Sequence, residues 1–185
     1  DAADMSIRKI IQVAKDYKNQ GANVIDLGCM PDTKFDHLED TIKALKCDGF
    51  KVSVDSANSE ELIRGANSGA DFILSVNEKN LQILDKVKSV PVVIPAKPGD
   101  YKSLERTIKK LEINKRAFFA DPILDPIHYG FAESIMRYIK LRKNYPKIKI
   151  FMGTGNLTEL TDSDSAGVNA TLMGLVSELS IDAVL

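Results

Sequence analysis

The chain reads Ala120-Asp-Pro-Ile-Leu-Asp-Pro-Ile-His-Tyr-Gly-Phe131 where an apolar run, residues 116–120, meets two Asp-Pro steps. The apolar run predicts a buried strand. A proline disfavours helical backbone at the residue before it, so Asp121 and Asp125 are held in extended geometry on a stiff turn. We therefore expect this strand to end at a site to which both carboxylates are presented.

The same alternation of apolar strand and amphipathic helix extends along the whole chain. Strands separated by helical segments of this length are typical of a parallel sheet covered by helices. The predicted strands are 23–28, 51–55, 71–76, 91–94, 116–120, 148–152 and 181–185, and the predicted helices are 7–20, 36–46, 59–67, 80–88, 102–112, 131–142 and 165–179.

Two closures of such a sheet are open to the chain. A doubly wound sheet usually has a glycine-rich phosphate loop after its first strand, and residues 26–31 and 55–58 match neither nucleotide fingerprint. We therefore favour an α/β fold of the (β/α)8 TIM-barrel type. Such a barrel has eight strands in about 250 residues. Because residues 1–185 begin on a helix and end in a strand, we expect one barrel domain, part of a longer chain, without its first strand and last helix.

Composition narrows the classes of partner. The chain has 44% hydrophobic residues and a formal net charge of -1, from 25 Lys+Arg against 26 Asp+Glu, with no basic stripe for nucleic acid. No apolar run approaches the roughly 20 residues of a membrane span, and the first residues do not resemble a signal peptide. We expect a cytoplasmic protein. Two cysteines and two histidines, dispersed along the chain, predict no metal site.

Acids and amides predominate at the ends of the predicted strands, which is where a barrel builds its active site. Each one singly is also explained as a cap of the following helix. Together they suit a ligand with hydrogen-bond donors and acceptors along a flat neutral edge better than a phosphate. These strand-end residues are Asp26, Gly28, Cys29, Asp55, Ser56, Ser75, Asn77, Lys97, Asp121, Asp125 and the run 153–159.

Four segments resemble the pterin-binding barrels, the group of dihydropteroate synthase and the methyltetrahydrofolate:corrinoid methyltransferases. They are Gly21-Ala-Asn-Val-Ile-Asp-Leu-Gly28, Val52-Ser-Val-Asp-Ser56, Ser68-Gly-Ala-Asp-Phe-Ile-Leu-Ser-Val-Asn77 and Asp121-Pro-Ile-Leu-Asp-Pro126. The run Gly155-Asn-Leu-Thr-Glu-Leu-Thr-Asp162 resembles in particular the dihydropteroate synthase-related proteins of organisms that use methanopterin.

The resemblance implies a reduced pterin of the tetrahydromethanopterin or folate type as substrate or ligand. It implies that Asp55 lies near the pterin, that Asn77 reads its ring, and that Asp121 pairs with its 2-amino and N3–H edge. A carboxylate offers two acceptors to those two parallel donors. It identifies Asp55 and Asp121 as catalytic candidates, and as pterin-binding candidates Asp26, Asp55, Ser75, Asn77, Asp121, Asp125, Gly153 and Asn156.

The sequence also departs from the synthases. Their asparagine falls where this chain has Leu74, and their Ser-Arg-Lys after the seventh strand is replaced by Gly153-Thr-Gly-Asn156, which resembles the Gly-x-Ser-Asn of the corrinoid methyltransferases. Condensation that expels pyrophosphate calls for Mg²⁺ and cationic clamps, whereas methyl transfer calls for a protonated, held pterin N5.

Three activities therefore stay open. The first is a synthase-like transferase in one-carbon metabolism or its biosynthesis, the second is a methyl-pterin:corrinoid methyltransferase with a corrinoid protein as partner, and the third is a non-catalytic pterin or corrinoid binding module. The resemblance also implies a homodimer through the last helices, where one apolar stripe comprises Val168, Leu172, Leu175, Val176 and Leu179.

Overall fold

Helices and strands alternate along the chain, as its apolar periodicity predicts. The computed structural model describes residues 2–31, 33–159 and 164–185. Within each unit, neighbouring strands pair in chain order. The chain divides into two units, the first reaching to Val76 and including Asn80–Pro91, the second comprising Asn77–Lys79 and Val92–Leu185.

The first unit has three parallel strands, each preceded by a helix. Ile25 pairs with Val52, and Ser53 pairs with Phe72. Helices α1 and α3 begin on side-chain caps, Ser6 and Asn58, which accept backbone N–H groups of the first turn. The elements are α1 (Ile7–Asn19), β1 (Ile25–Gly28), α2 (Leu38–Cys47), β2 (Val52–Asp55), α3 (Ser59–Asn67), β3 (Phe72–Val76) and a 3-10 helix (Leu81–Asp85).

The second unit continues the pattern. Its strands are again parallel, with Val92 paired to Phe119 and Phe151 to Ala183. Its elements are β4 (Val90–Val93, which begins in the first unit), α4 (Tyr101–Ile113), β5 (Phe119–Ala120), α5 (Phe131–Asn144), β6 (Lys149–Met152), α6 (Gly155–Thr158), α7 (Ser165–Glu178) and β7 (Ala183–Val184).

An aspartate immediately before a strand fixes the register in each unit. The Asp71 N–H donates to the Val52 carbonyl at 2.8 Å, and the Val52 N–H donates back to Asp71 Oδ2 at 2.9 Å. Lys46 Nζ bonds the same oxygen at 2.6 Å. Asp182 makes the equivalent exchange with Ile150, at 2.9 Å in both directions. Each aspartate thus adds a pair of hydrogen bonds to the neighbouring strand immediately before its own strand begins.

The strands of the first unit present different chemistry on their two faces. Val54 packs against α3 so closely that a Cβ on Gly65 would lie 2.8 Å from Val54 Cγ2. Because side chains alternate along a strand, Ser53 and Asp55 point to the opposite face. In-register pairing brings Asp26 beside Ser53 on that face. The helices therefore cover the apolar face and leave the polar face for the candidate site.

The elements differ from the predicted ones mainly at their boundaries. The fifth strand is confined to Phe119–Ala120, and the chain leaves α4 through Lys115, which has a φ of 51°. Within the predicted helix 80–88, the structure has only a 3-10 helix, Leu81–Asp85. The short α6, in the loop after β6, was not predicted. Within the described ranges no helix has the length and apolar character needed to cross a membrane.

Candidate functional site

Two aspartates on the polar face of the first unit each accept a hydrogen bond from a serine. The Ser53 hydroxyl donates to Asp26 Oδ1 at 2.5 Å, and the Ser75 hydroxyl donates to Asp55 Oδ1 at 2.5 Å. Ser75 has a φ of 64°, an uncommon conformation for a non-glycine residue, and it lies near the end of β3. The structure therefore brings three predicted site residues, Asp26, Asp55 and Ser75, into one cluster.

Burial dominates the electrostatics of Asp26 and Cys29. It raises the pKa of Asp26 to about 6, with Asp55 adding to the rise and the Ser53 hydrogen bond opposing it. It also raises the pKa of Cys29 to about 12, helped by Glu61, Asp55 and Asp26. The Cys29 thiol thus stays protonated at neutral pH, which makes it a poor nucleophile.

Ser56 and Asn77 have local backbone roles. The Ser56 hydroxyl donates to Glu61 Oε2 at 2.5 Å and accepts the Asn58 N–H at 2.9 Å, so it helps to start α3. The side chain of Asn77 accepts the Lys79 N–H at 3.0 Å, as in a turn after β3. The contacts of Ser56 are thus those of a residue that caps the start of a helix.

Asp121 follows β5 in the second unit and is 6% exposed. Its Oδ1 accepts the Tyr138 hydroxyl at 2.5 Å and the Ile123 N–H at 2.7 Å. Burial raises the pKa of Asp121 to about 6, while Tyr138, the N–H groups of Ile123 and Gly153, and the charge of Arg137 hold it down. The carboxylate is therefore shielded from water, and its Oδ1 accepts two hydrogen bonds.

Arg137 fixes the loop that follows Asp121. Its guanidinium donates to the Pro122 carbonyl at 3.1 Å, to the Ile123 carbonyl at 2.9 Å and to Asp125 Oδ2 at 2.6 Å. The Asp125 and Arg137 side chains are 17% and 11% exposed. Sequence reasoning missed Arg137 and Tyr138, because on an amphipathic helix they look like ordinary residues. The one sequence feature that could have indicated them is an adjacent Arg-Tyr pair on the helix that follows the two Asp-Pro steps.

The loop after β6 packs onto the same cluster. Asn156 Nδ2 donates to the Leu124 carbonyl at 3.3 Å, and a Cβ on Gly153 would meet the Asn156 amide. The Thr154 hydroxyl donates to the Leu185 carbonyl at 2.7 Å. Asp121, Asp125, Gly153 and Asn156 thus form the second cluster. The predicted motif 155–162 continues into residues 160–162, which lie outside the described residues.

One cavity of the first unit lies apart from its carboxylate cluster. A cavity of about 440 Å³ lies at the opposite, amino-terminal ends of β2 to β4, where Lys51, Asp71 and Ser89 line it. The Asp71 carboxylate in the cavity wall is ion-paired with Lys46 at 2.6 Å, whereas the Asp26 and Asp121 carboxylates of the clusters are bonded by hydroxyl groups. Among residues 2–31, 33–159 and 164–185, no three His, Cys, Asp or Glu side chains are grouped to hold a metal ion.

Comparison with other sequences finds one informative relative. No family model matches the chain. An uncharacterized protein of Methanocaldococcus jannaschii is 38% identical over 183 residues, covering 88% of this chain and 35% of the relative. The chain therefore spans about a third of the length of the curated relative that it matches.

Solved structures identify the fold. A Yersinia pestis dihydropteroate synthase with a pterin-sulfa conjugate matches with a TM-score of 0.74 at 13% identity, covering 97% of this chain and 82% of that one. The Coxiella burnetii synthase in complex with pteroic acid gives 0.72 at 15%, covering 97% and 80%. The Thermus thermophilus synthase gives 0.68 at 17%, covering 94% and 80%. The chain has the α/β barrel fold of these synthases, which confirms the predicted fold.

The raised pKa of Asp26 predicts a pH-dependent penalty on stability. The folded state favours the protonated carboxyl, so its contribution is complete below pH 4 and is lost as the pH rises through about 6. Asp26→Asn keeps an acceptor for Ser53 and removes this loss. We expect the free energy of unfolding of the variant, relative to that of the wild type, to rise by roughly 1 to 2 kcal/mol from pH 4.5 to pH 7.5.

Urea unfolding at the two pH values measures this change. Asp36→Asn is the matched control, because the Asp36 side chain is 69% exposed and is not among the groups that act on the Asp26 carboxyl. If the unfolding free energies of wild type and Asp26→Asn differ by the same amount at both pH values, the pKa of Asp26 is not raised and the prediction is wrong.

Proposed function

We propose that this chain is a cytoplasmic pterin-binding barrel, related to dihydropteroate synthase, that binds a reduced pterin of the tetrahydromethanopterin or folate type. The observation that carries the proposal is the buried, hydrogen-bonded Asp121 directly after β5 of a synthase-type fold. The proposal is supported by the pterin ligands of the Yersinia and Coxiella synthases. The pterin belongs to one-carbon metabolism or its biosynthesis, and the chain acts as a transferase on it.

Asp121 is proposed as the residue that recognises the donor edge of the pterin. A buried carboxylate competes with little water, so a hydrogen bond from the 2-amino or N3–H group contributes more there than on the surface. Two donors already occupy the lone pairs of Oδ1. We therefore propose Oδ2 as the oxygen that accepts from the pterin, beside the Gly153 N–H that also bonds the carboxylate.

The remaining candidates divide by their contacts. Asp55, which accepts from Ser75, is proposed as the second catalytic carboxylate, and Asp26 and Asn77 as further pterin-binding residues. In the second unit, Asp125 and Asn156 hold the Asp121 loop through Arg137 and the Leu124 carbonyl. Gly153 contributes its backbone N–H beside Asp121.

Methyl transfer is the chemistry that the site favours over condensation. The loop that replaces the synthase Ser-Arg-Lys uses Thr154 and Asn156 to bond backbone carbonyls. The guanidinium of Arg137 is engaged by Asp125 and two carbonyls, which leaves it a poor clamp for diphosphate. We therefore propose a methyl-pterin transferase that works with a corrinoid protein. A binding module without turnover is the alternative, which saturates with pterin and forms no product.

The last helix supports the proposal of a homodimer. Helix α7 carries no charged residue before Glu178, and among its residues only Leu172 is buried. Met173 on α7 is 41% exposed. Such an uncharged, exposed helix is typical of a surface covered by a partner, and a second copy is the partner that the resemblance implies.

Replacing Asp121 should weaken pterin binding. Asp121→Asn exchanges one acceptor oxygen for an N–H₂ group that faces ring donors, and an unsatisfied pair costs about 1 to 3 kcal/mol. We expect at least a tenfold loss of affinity in calorimetric titration of the full-length protein with 6-hydroxymethyl-7,8-dihydropterin. Asp85→Asn, at an exposed position of the 3-10 helix, is the control. Equal affinity of wild type and Asp121→Asn would exclude Asp121 from the site.

Dihydropteroate formation should be slight or absent. Loss of one stabilising donor typically costs on the order of 100-fold in rate, and this loop has no Ser-Arg-Lys clamp. The assay supplies the full-length protein with 6-hydroxymethyl-7,8-dihydropterin diphosphate, 4-aminobenzoate and Mg²⁺, beside a known synthase as positive control. Pterin binding by the same preparation shows that it is folded. Robust product formation would show that the loop supports condensation after all.

The dimer proposal predicts a mass of two chains in light scattering. A charge at an apolar contact is costly to bury, so Met173→Glu should shift the protein towards monomer. Met136→Glu is the matched control, since Met136 is a 63% exposed methionine on α5. A monomeric wild type at high concentration would contradict the proposal.

A further inference from the structure

Two adjacent residues of α5 surround the proposed pterin-reading carboxylate. Tyr138 is fully buried, and its hydroxyl lies 2.5 Å from Asp121 Oδ1. Arg137 contacts the backbone that follows Asp121 instead, because consecutive helical residues point about 100° apart. One side chain therefore holds the carboxylate, and the other holds the loop that carries it.

The loop needs such a restraint. Ile123 has a φ of 66°, which is unfavourable for a β-branched residue and persists where the surroundings enforce it. Arg137 donates hydrogen bonds to the Pro122 and Ile123 carbonyls, and Asn156 donates one to the Leu124 carbonyl. Three consecutive carbonyls are thus held by side chains, and the Ile123 N–H is held by Asp121 itself.

We propose that Tyr138 and Arg137 are positioning residues for pterin recognition: Tyr138 keeps Asp121 in its ionised, acceptor form, and Arg137 fixes the backbone that aims it. This inference rests on the proposed function, in which Asp121 accepts from the pterin.

The charges around Asp121 give the direction of the effect. The titratable and charged side chains that act on it are Tyr138 and Arg137 of α5, and Asp125 in the loop acts on Tyr138. Burial favours the protonated acid, and the Tyr138 hydroxyl is the first of the groups that oppose it. Burial and Asp121 together raise the pKa of Tyr138, so the phenol stays a donor. Without that hydroxyl, Asp121 takes up a proton at higher pH and loses its acceptor form.

The test is the pH profile of binding. Full-length wild type and Tyr138→Phe are titrated with 6-hydroxymethyl-7,8-dihydropterin between pH 5 and pH 8. We expect wild-type affinity to fall on the acid side with a midpoint near pH 6, and the midpoint of Tyr138→Phe to lie about one unit higher, as expected for one lost hydrogen bond to a charged group. Above both midpoints the two affinities converge to within about threefold.

Tyr101→Phe is the matched control. Tyr101 is also buried in the second unit, and its hydroxyl bonds no carboxylate among the described residues. It should leave the midpoint unchanged. Arg137→Lys keeps the charge but cannot make three planar bonds, so we expect about tenfold weaker binding with an unshifted midpoint.

The outcomes separate the two claims. A wild type that binds no pterin would overturn the proposed function. Binding by the wild type with the same midpoint in Tyr138→Phe would overturn the role of Tyr138, and unchanged affinity in Arg137→Lys would overturn that of Arg137. If Tyr138→Phe does not fold, 3-fluorotyrosine at position 138 replaces it; this stronger donor should lower the midpoint, and an unmoved or raised midpoint would contradict the inference.

Discussion

Parallel strand pairing in fixed register is the constraint on which the rest of the structure depends. A shift by one residue would exchange the two faces of a strand. Asp71 and Asp182 prevent it, because each extends the ladder by one rung before its strand begins. With the register fixed in the first unit, Val52 and Val54 are buried, and Ser53 and Asp55 lie on the opposite face.

The candidate carboxylates share one electrostatic feature. Each accepts a hydrogen bond from a hydroxyl: Asp26 from Ser53, Asp55 from Ser75, and Asp121 from Tyr138. A hydroxyl stabilises a carboxylate without neutralising it, whereas an arginine or lysine partner would do both. These side chains therefore keep their capacity to accept from an uncharged donor edge.

The sequence predicted most of the fold and part of the candidate site. Apolar runs and helical periodicity located the strands, because burial imposes those patterns directly. The Asp-Pro steps indicated Asp121, since proline restricts the residue before it. Tyr138 and Arg137 carry no such mark, because their roles depend on which loop packs against α5. The positive φ of Ser75 and of Ile123 is likewise set by tertiary contacts rather than by residue type.

A crystal structure of the full-length protein soaked with 6-hydroxymethyl-7,8-dihydropterin tests the central claim most directly. The account predicts ring density beside Asp121, with the 2-amino or N3 nitrogen within about 3 Å of Oδ2 and the Tyr138 hydroxyl still on Oδ1. A pterin bound elsewhere, with Asp121 bonded as in the free protein, would contradict it.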